Sequence, residues 1–305
     1  MNSDSPPRSG SQQAVSMGTD VALRPERSLT ALAFSRLVKN RLAVVGLTVL
    51  CLVIIASAMA PLLTPYAPTS MDTSSRFQPP SREHLMGTDQ FGRDIFTRII
   101  YAGRVSLTVG IVSVGVAGTL GTIIGLTSAY YGGWWDLVVS RLMDVLFAFP
   151  PVLLAIAIMA ALGQNTTNVM IAIGIVNTPI FARLIRATGM GISGRLFVEA
   201  AHALGASSRR IILKHIFPNC LPPLIVQITV AFAWAVIAEA ALSFLGLGTR
   251  PPTPSWGLIL DEGRNVMEYA PWQPVAAGVA VMVTVFSLNV LGDGLRDALD
   301  PESTR

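Results

Sequence analysis

LFVEAAHALGASSRRIILKHIFP, residues 196–218, is the stretch on which the reading of this chain turns. It is polar and basic and stands between two apolar runs. From Arg183 to His215 the chain carries Arg183, Arg186, Arg195, Arg209, Arg210 and Lys214 against one acid, Glu199. Leu196 to Leu204 is rich in strong helix formers. Phe197, Ala200, Ala201 and Leu204 stand at i, i+3, i+4 and i+7, one face of a short helix. Gly205 follows, free to take the left-handed conformation that ends helices. By pattern alone, this is a surface-lying connector between two membrane spans.

The rest of the chain supports a membrane setting. Of 305 residues, 51% are hydrophobic and 13% charged; soluble domains carry about 25% charged residues. Leu42–Leu63 is the first span, 22 residues without a charge. Ala58-Met59-Ala60 has the look of a signal-peptide cleavage site, but the run exceeds the ~7–15 apolar residues of such peptides. Val105–Trp135 is uncharged over 31 residues and holds the second span; Tyr130 to Trp135 marks its exit from lipid. Ser113, Ala117, Gly121, Gly125 and Ala129 recur every four residues, a stripe of small side chains suited to close helix packing. Asp136–Leu162 is the third span, with Arg141 and Asp144 spaced to pair and Pro150-Pro151 placed to break it. Val169–Leu184, Cys220–Leu247 and Val275–Leu291 are the fourth, fifth and sixth. The expected fold is all-α, a polytopic transmembrane bundle of six spans: one N-terminal span (42–63) before a five-helix core (105–296).

Residues 1–41 read as a disordered tail with a basic approach to the membrane, 64–104 as a polar outer loop, 297–305 as a short tail. In the outer loop, Asp89 and Asp94 lack the further ligands of a metal site and read as a solvated turn and a helix cap. The N-terminal approach and the 183–218 loop are the most basic segments. Four spans separate them, so both are expected in the cytoplasm with both termini. The five arginines of the 64–104 loop, Arg76, Arg82, Arg93, Arg98 and Arg104, strain that assignment.

Nothing points to chemistry on a substrate. The two lysines, Lys39 and Lys214, neither follow a glycine nor precede Ser or Thr, so no phosphate-binding P-loop is present. His84, His202 and His215 are scattered, and Cys51 and Cys220 have no ligand spacing. The formal charge of +4 comes from arginines at span ends, not from a nucleic-acid-binding face. Glu239 is an acid inside the fifth span, and an intramembrane acid is a functional candidate by default. It is the proton-relay residue if the chain is a self-contained secondary transporter. Six spans without an evident inverted repeat argue against that reading.

Glu199-Ala200-Ala201, Gly205 and Ile216-Phe217-Pro218 resemble the EAA loop of bacterial ATP-binding-cassette importer permeases, departing at Phe217, where leucine is commoner. GTDQFGRD (87–94), LSFLGLG (242–248), PPTPSWG (251–257) and GDGLRDALDP (292–301) resemble the dipeptide/oligopeptide permeases, second-permease type, over roughly residues 36–300. The resemblance implies a non-catalytic membrane subunit of an importer of peptides, or of nickel, glutathione or opines. It implies a cytoplasmic coupling helix docking on an ATPase subunit through Glu199, Ala200, Ala201, Gly205, Ile216 and Pro218. It also implies a second permease in a heterodimer, two ATP-binding subunits that hold the ATP, an external substrate-binding protein, and the bacterial inner membrane. No cofactor is expected in this chain.

Overall fold

The computed structural model describes residues 35–299; most of the tail expected over 1–41, residues 1–34, lies outside them. Helix α1, Arg41–Ala58, opens on Asn40, whose side chain accepts from the Ala43 N–H. A short helical turn, Ala60–Leu63, leads into the loop that precedes the second long helix. Helix α2, Ile95–Tyr131, is 37 residues long. That is about 55 Å at 1.5 Å per residue, well beyond the ~30 Å of a bilayer's hydrocarbon, so its ends project from lipid. Helix α3, Gly133–Phe147, and α4, Pro151–Leu162, meet at 94° across Pro150-Pro151, the break the sequence predicts. Then come α5, Thr166–Ser193; the short α6, Leu196–Ala203; and α7, Ser208–Phe244, broken by a π-helical turn at Ile212–Ile216. Helices α8, Trp256–Arg264, and α9, Trp272–Leu299, complete the chain. Among the described residues, five helices are long and apolar enough to cross a membrane, and the bent α3–α4 pair makes a sixth if counted as one span.

The small-residue stripe on α2 lies against α5. A Cβ added at Gly121 would sit 2.4 Å from the Phe181 Cβ and 2.8 Å from the Thr178 carbonyl oxygen, and one at Gly125 would sit 2.6 Å from the Ala182 oxygen. Ser113 donates to the Met170 carbonyl at 3.0 Å. Close backbone approach is thus what the stripe secures. Around it the main core gathers Val109, Ala117, Phe181, Ile185, Ile211, Ile216 and Leu242. A second cluster, Leu50, Ala233, Leu288 and Leu291, binds α1 to α7 and α9. Many large apolar residues stay exposed, among them Leu52, Ile111, Val275 and Phe286, as a lipid-facing surface requires.

Four helices run further than the charge pattern suggests. Helix α2 begins ten residues before Val105, α5 continues past Leu184 to Ser193, α7 starts at Ser208 rather than Cys220, and α9 continues past Leu291 to Leu299, so the tail expected from residue 297 begins on a helix. In each case the charged residues that mark a span end in the sequence sit on the helix itself. Arg183 of α5 pairs with Asp144 at 2.6 Å and stacks over Phe147, while Arg186 pairs with Asp136. Asp144 therefore serves Arg183 first, with Arg141 more distant at 3.5 Å.

The solvated reading of Asp89 is overturned. Asp89 is fully buried and accepts from the Phe91 and Arg93 N–H groups, from Arg93 Nε at 2.6 Å and from Arg98 Nη1 at 2.7 Å. Glu262 of α8 closes the cluster with Arg93 at 3.0 Å and Arg98 at 2.6 Å. Asp94 does cap α2, accepting from the Thr97 N–H, but it is buried too and meets His84 Nδ1 at 3.0 Å. Gly92, at φ +71°, permits the turn: a Cβ there would fall 1.7 Å from the Asp72 oxygen. The loop is thus a folded cap. Two of its five arginines are neutralised inside it, and Arg104 is held by the Ser57 and Ala58 carbonyls at the end of α1.

Candidate docking helix and the buried acid

Helix α6 falls within one residue of the predicted Leu196–Leu204. It ends as Gly205 predicts. The Gly205 N–H donates to the His202 carbonyl at 2.9 Å and the Ala206 N–H to Ala201 at 3.0 Å. Gly205 takes φ +76° with open space around it. This is the Schellman closure that favours glycine.

One side chain pins the helix to the bundle. Val198 is 1% exposed and belongs to the main core with Ile192, Ile211 and Ile216; Ala201 and Ala206 lean on it. Of the predicted apolar face only Ala201 packs on the core; Phe197, Ala200 and Leu204 point elsewhere. Leu196, Phe197 and Leu204 are 83%, 42% and 88% exposed, and Ala200 is exposed beside them. Val198 was missed because a stripe of four outvotes a pair; Val198 and Ala201, three apart, were the available signal. His202 stacks on Tyr130 at 5.8 Å, which ties α6 to the end of α2.

Glu199 and Gly205 are exposed, as is Pro218 in the first turn after the π-helical segment. Ile216 is not: it is wholly buried in the core, with Gly189 of α5 close by. Two leucines and a phenylalanine are thus exposed around an acid and a small alanine on one short helix. Burying each large apolar side chain is worth about 1.5–3 kcal/mol.

Glu239 is also wholly buried. Its carboxylate accepts from Ser106 of α2 at 2.8 Å and from Ser243 of α7 at 2.7 Å. Those hydroxyls in turn accept from the Trp256 N–H at 3.4 Å and the Thr249 N–H at 3.3 Å. The acid is the centre of a polar knot that fastens α2, α7 and the 249–256 loop together. Among the described residues no group of three or more His, Cys, Asp or Glu is arranged to hold a metal ion.

Comparison with known proteins agrees with this arrangement. A family model described as a binding-protein-dependent transport system inner membrane component matches residues 121–305. One described as the N-terminal TM domain of oligopeptide transport permease C matches residues 28–80. A dipeptide transport system permease protein of Alkalihalophilus pseudofirmus is 48% identical, covering 91% of this chain and 93% of that protein. A putative peptide transport system permease protein of Brucella abortus is 44% identical over 90% of this chain and 93% of its own length. A glutathione transport system permease protein of Escherichia coli is 41% identical over 87% of this chain and 88% of its own. Among solved structures, an inward-facing MetNI methionine ABC transporter matches 68% of this chain and 98% of its own with TM-score 0.56 at 18% identity, a likeness of fold. With more than half its length under one family model, and with a relative 48% identical over 91% of the chain, the chain belongs to the family of binding-protein-dependent transport system inner membrane components.

Proposed function

We propose that this chain is one of two different permease subunits of an ATP-binding-cassette importer that moves peptides into the cytoplasm, and that α6 is the lever on which a separate ATPase subunit acts. The observation that carries the reading is α6 itself: anchored through Val198, capped at Gly205, and presenting Leu196, Phe197, Leu204, Ala200 and Glu199 outward. Glu199 offers a charge-assisted bond to a basic partner, Ala200 and Ala201 allow close approach, and Gly205 and Pro218 shape the flanking turns. Closure of two ATPase subunits pulls α6 and biases the bundle between two packings. ATP stays on those subunits.

The substrate class follows the relatives, which are named for dipeptides, peptides and glutathione, itself a tripeptide. In this reading the chain sits in the bacterial inner membrane with α6 and both termini in the cytoplasm. The cap of residues 64–94 then faces outward, toward a substrate-binding protein. The neutralised Arg93 and Arg98 ease the charge conflict of that placement. A reporter fused after Ser75 reads external activity; internal activity overturns the orientation.

The test of the function is uptake by proteoliposomes holding the whole complex, supplied with labelled di- and tripeptides and glutathione. Glu199→Arg and Gly205→Asp are expected to abolish ATP-driven uptake and co-purification of the ATPase. Undiminished uptake without ATP refutes the reading and favours a carrier. The serines already occupying both Glu239 oxygens support a structural role for that acid instead.

A further inference from the structure

Helix α7 has two unlike faces. Toward α2, a groove of about 610 Å³ is lined by Ile111, Val114, Phe217, Ile228 and Phe232, with few polar atoms. On the other side, a groove of about 590 Å³ lies between α5, α7 and α9 and is lined by Leu184, Asn219, Pro222, Pro223, Gln227 and Arg296. The second is the polar one, although it runs along the apolar stretch of α7.

Its polar atoms are uncommitted. The Gln227 amide makes no hydrogen bond to any described residue. Asn219 donates through Nδ2 to the His215 carbonyl at 2.7 Å, which leaves its own oxygen as an acceptor. Pro222 and Pro223 lie inside the helix and have no N–H, so the Pro218 and Asn219 carbonyls lack their i+4 donors. Arg296 enters from α9 at the inner mouth and is exposed. Gln227 stands eight residues along α7 from Asn219, about 12 Å deeper.

Lipid does not tolerate a bare amide at the depth of Gln227, in the middle of the fifth span. An unpaired amide or carbonyl in hydrocarbon costs several kcal/mol, and intramembrane polar groups face protein or a water-filled passage. A primary amide donates and accepts in the pattern of a peptide bond, and a guanidinium suits a carboxylate terminus.

We propose that the Asn219–Gln227–Arg296 groove is the inner segment of the cargo's path, and that Gln227 hydrogen-bonds to the backbone amides of the passing peptide. This rests on the peptide-importer reading above and names where the peptide runs. Because the contacts match the peptide backbone, they serve any sequence, and choice among peptides falls to the external binding protein. Thermal motion carries the peptide past a few single hydrogen bonds, each worth about 1 kcal/mol net.

Two measurements on the reconstituted complex test the proposal. In a variant with Cys51 and Cys220 replaced, Gln227→Cys is expected to react with a charged, membrane-impermeant thiol reagent at least tenfold faster than Ile225→Cys, which projects from the opposite face of α7. Saturating di- and tripeptides with ATP should slow that reaction. Gln227→Leu is expected to cut peptide uptake at least fivefold while ATPase activity and subunit co-purification stay near wild type, with Gln227→Asn restoring part of the loss. Equal labelling of the two cysteine variants overturns the proposal. So does unchanged uptake by Gln227→Leu, or loss of the second permease from its purified complex, which would show that Gln227 holds the subunits together rather than meeting cargo. A wild-type complex that takes up no peptide sinks the substrate reading instead, and the labelling ratio still reports whether the groove holds water.

Discussion

Replacing Asp89 with alanine is the sharpest perturbation of the 64–104 cap. The carboxylate is fully buried, and so, nearly, are the arginines it serves, at 4% and 1% exposure. Solvent screening therefore offers little relief. Two charge-assisted hydrogen bonds, at 2.6 and 2.7 Å, are lost, each worth about 1.5–3 kcal/mol. Two backbone N–H groups lose an acceptor as well. Glu262 then faces two guanidiniums alone, and Arg98 already has Nε and Nη2 without partners. The expected cost is about 3–5 kcal/mol, the range for breaking a buried ion pair. Equilibrium denaturation in mixed micelles, read as a change of midpoint at constant slope, measures it. Asp89→Asn, which keeps the shape and an oxygen, falls between. Glu262→Ala costs less, because its side chain is 13% exposed and water replaces it in part. Asp89→Ala within 1 kcal/mol of wild type, or Glu262→Ala the more damaging of the two, refutes the argument.

Other outcomes follow from the same geometry. Gly121→Ala forces a Cβ into Phe181 and the Thr178 carbonyl and is expected to cost about 1–3 kcal/mol; Gly118→Ala, whose nearest neighbour is at 3.8 Å, is expected to be silent in the same melting assay. Gly205→Ala meets open space, so only its φ of +76° opposes it; the cost is about 1–2 kcal/mol, seen as weaker ATPase co-purification rather than loss of the folded permease. Glu239→Ala strands two buried serines and lowers stability by roughly 1–3 kcal/mol, whereas Glu239→Gln keeps ATP-driven uptake above half of wild type with no new dependence on a proton gradient. Gly92→Ala cannot fit against Asp72, and limited proteolysis between residues 64 and 94 is expected to accelerate.

The sequence carried the spans because long uncharged runs need no partner to be read. It carried α6 and its glycine stop because both signals are local, and the α2 stripe because its period is that of the helix. It misled wherever a charge had a distant partner. Arg98 looked like loop, since nothing near it reveals Glu262, 164 residues on. Arg183 and Arg186 looked like the end of a span, though Asp144 and Asp136 hold them on α5. The orientation of α6 was hidden for a related reason. Which of two apolar edges is buried depends on where Ile192, Ile211 and Ile216 come to lie, and periodicity is blind to that.

The bond between Arg98 and Glu262 also bears on how the protein is made. At about 5–20 residues per second, the 164 residues between them take roughly 8–30 s to emerge from the ribosome. Through that interval α2 enters the insertion machinery with a guanidinium that has Asp89 for company and nothing more. The nascent chain thus passes through a stage in which the ion cluster of the 64–104 cap is incomplete, until α8 arrives with Glu262 to close it.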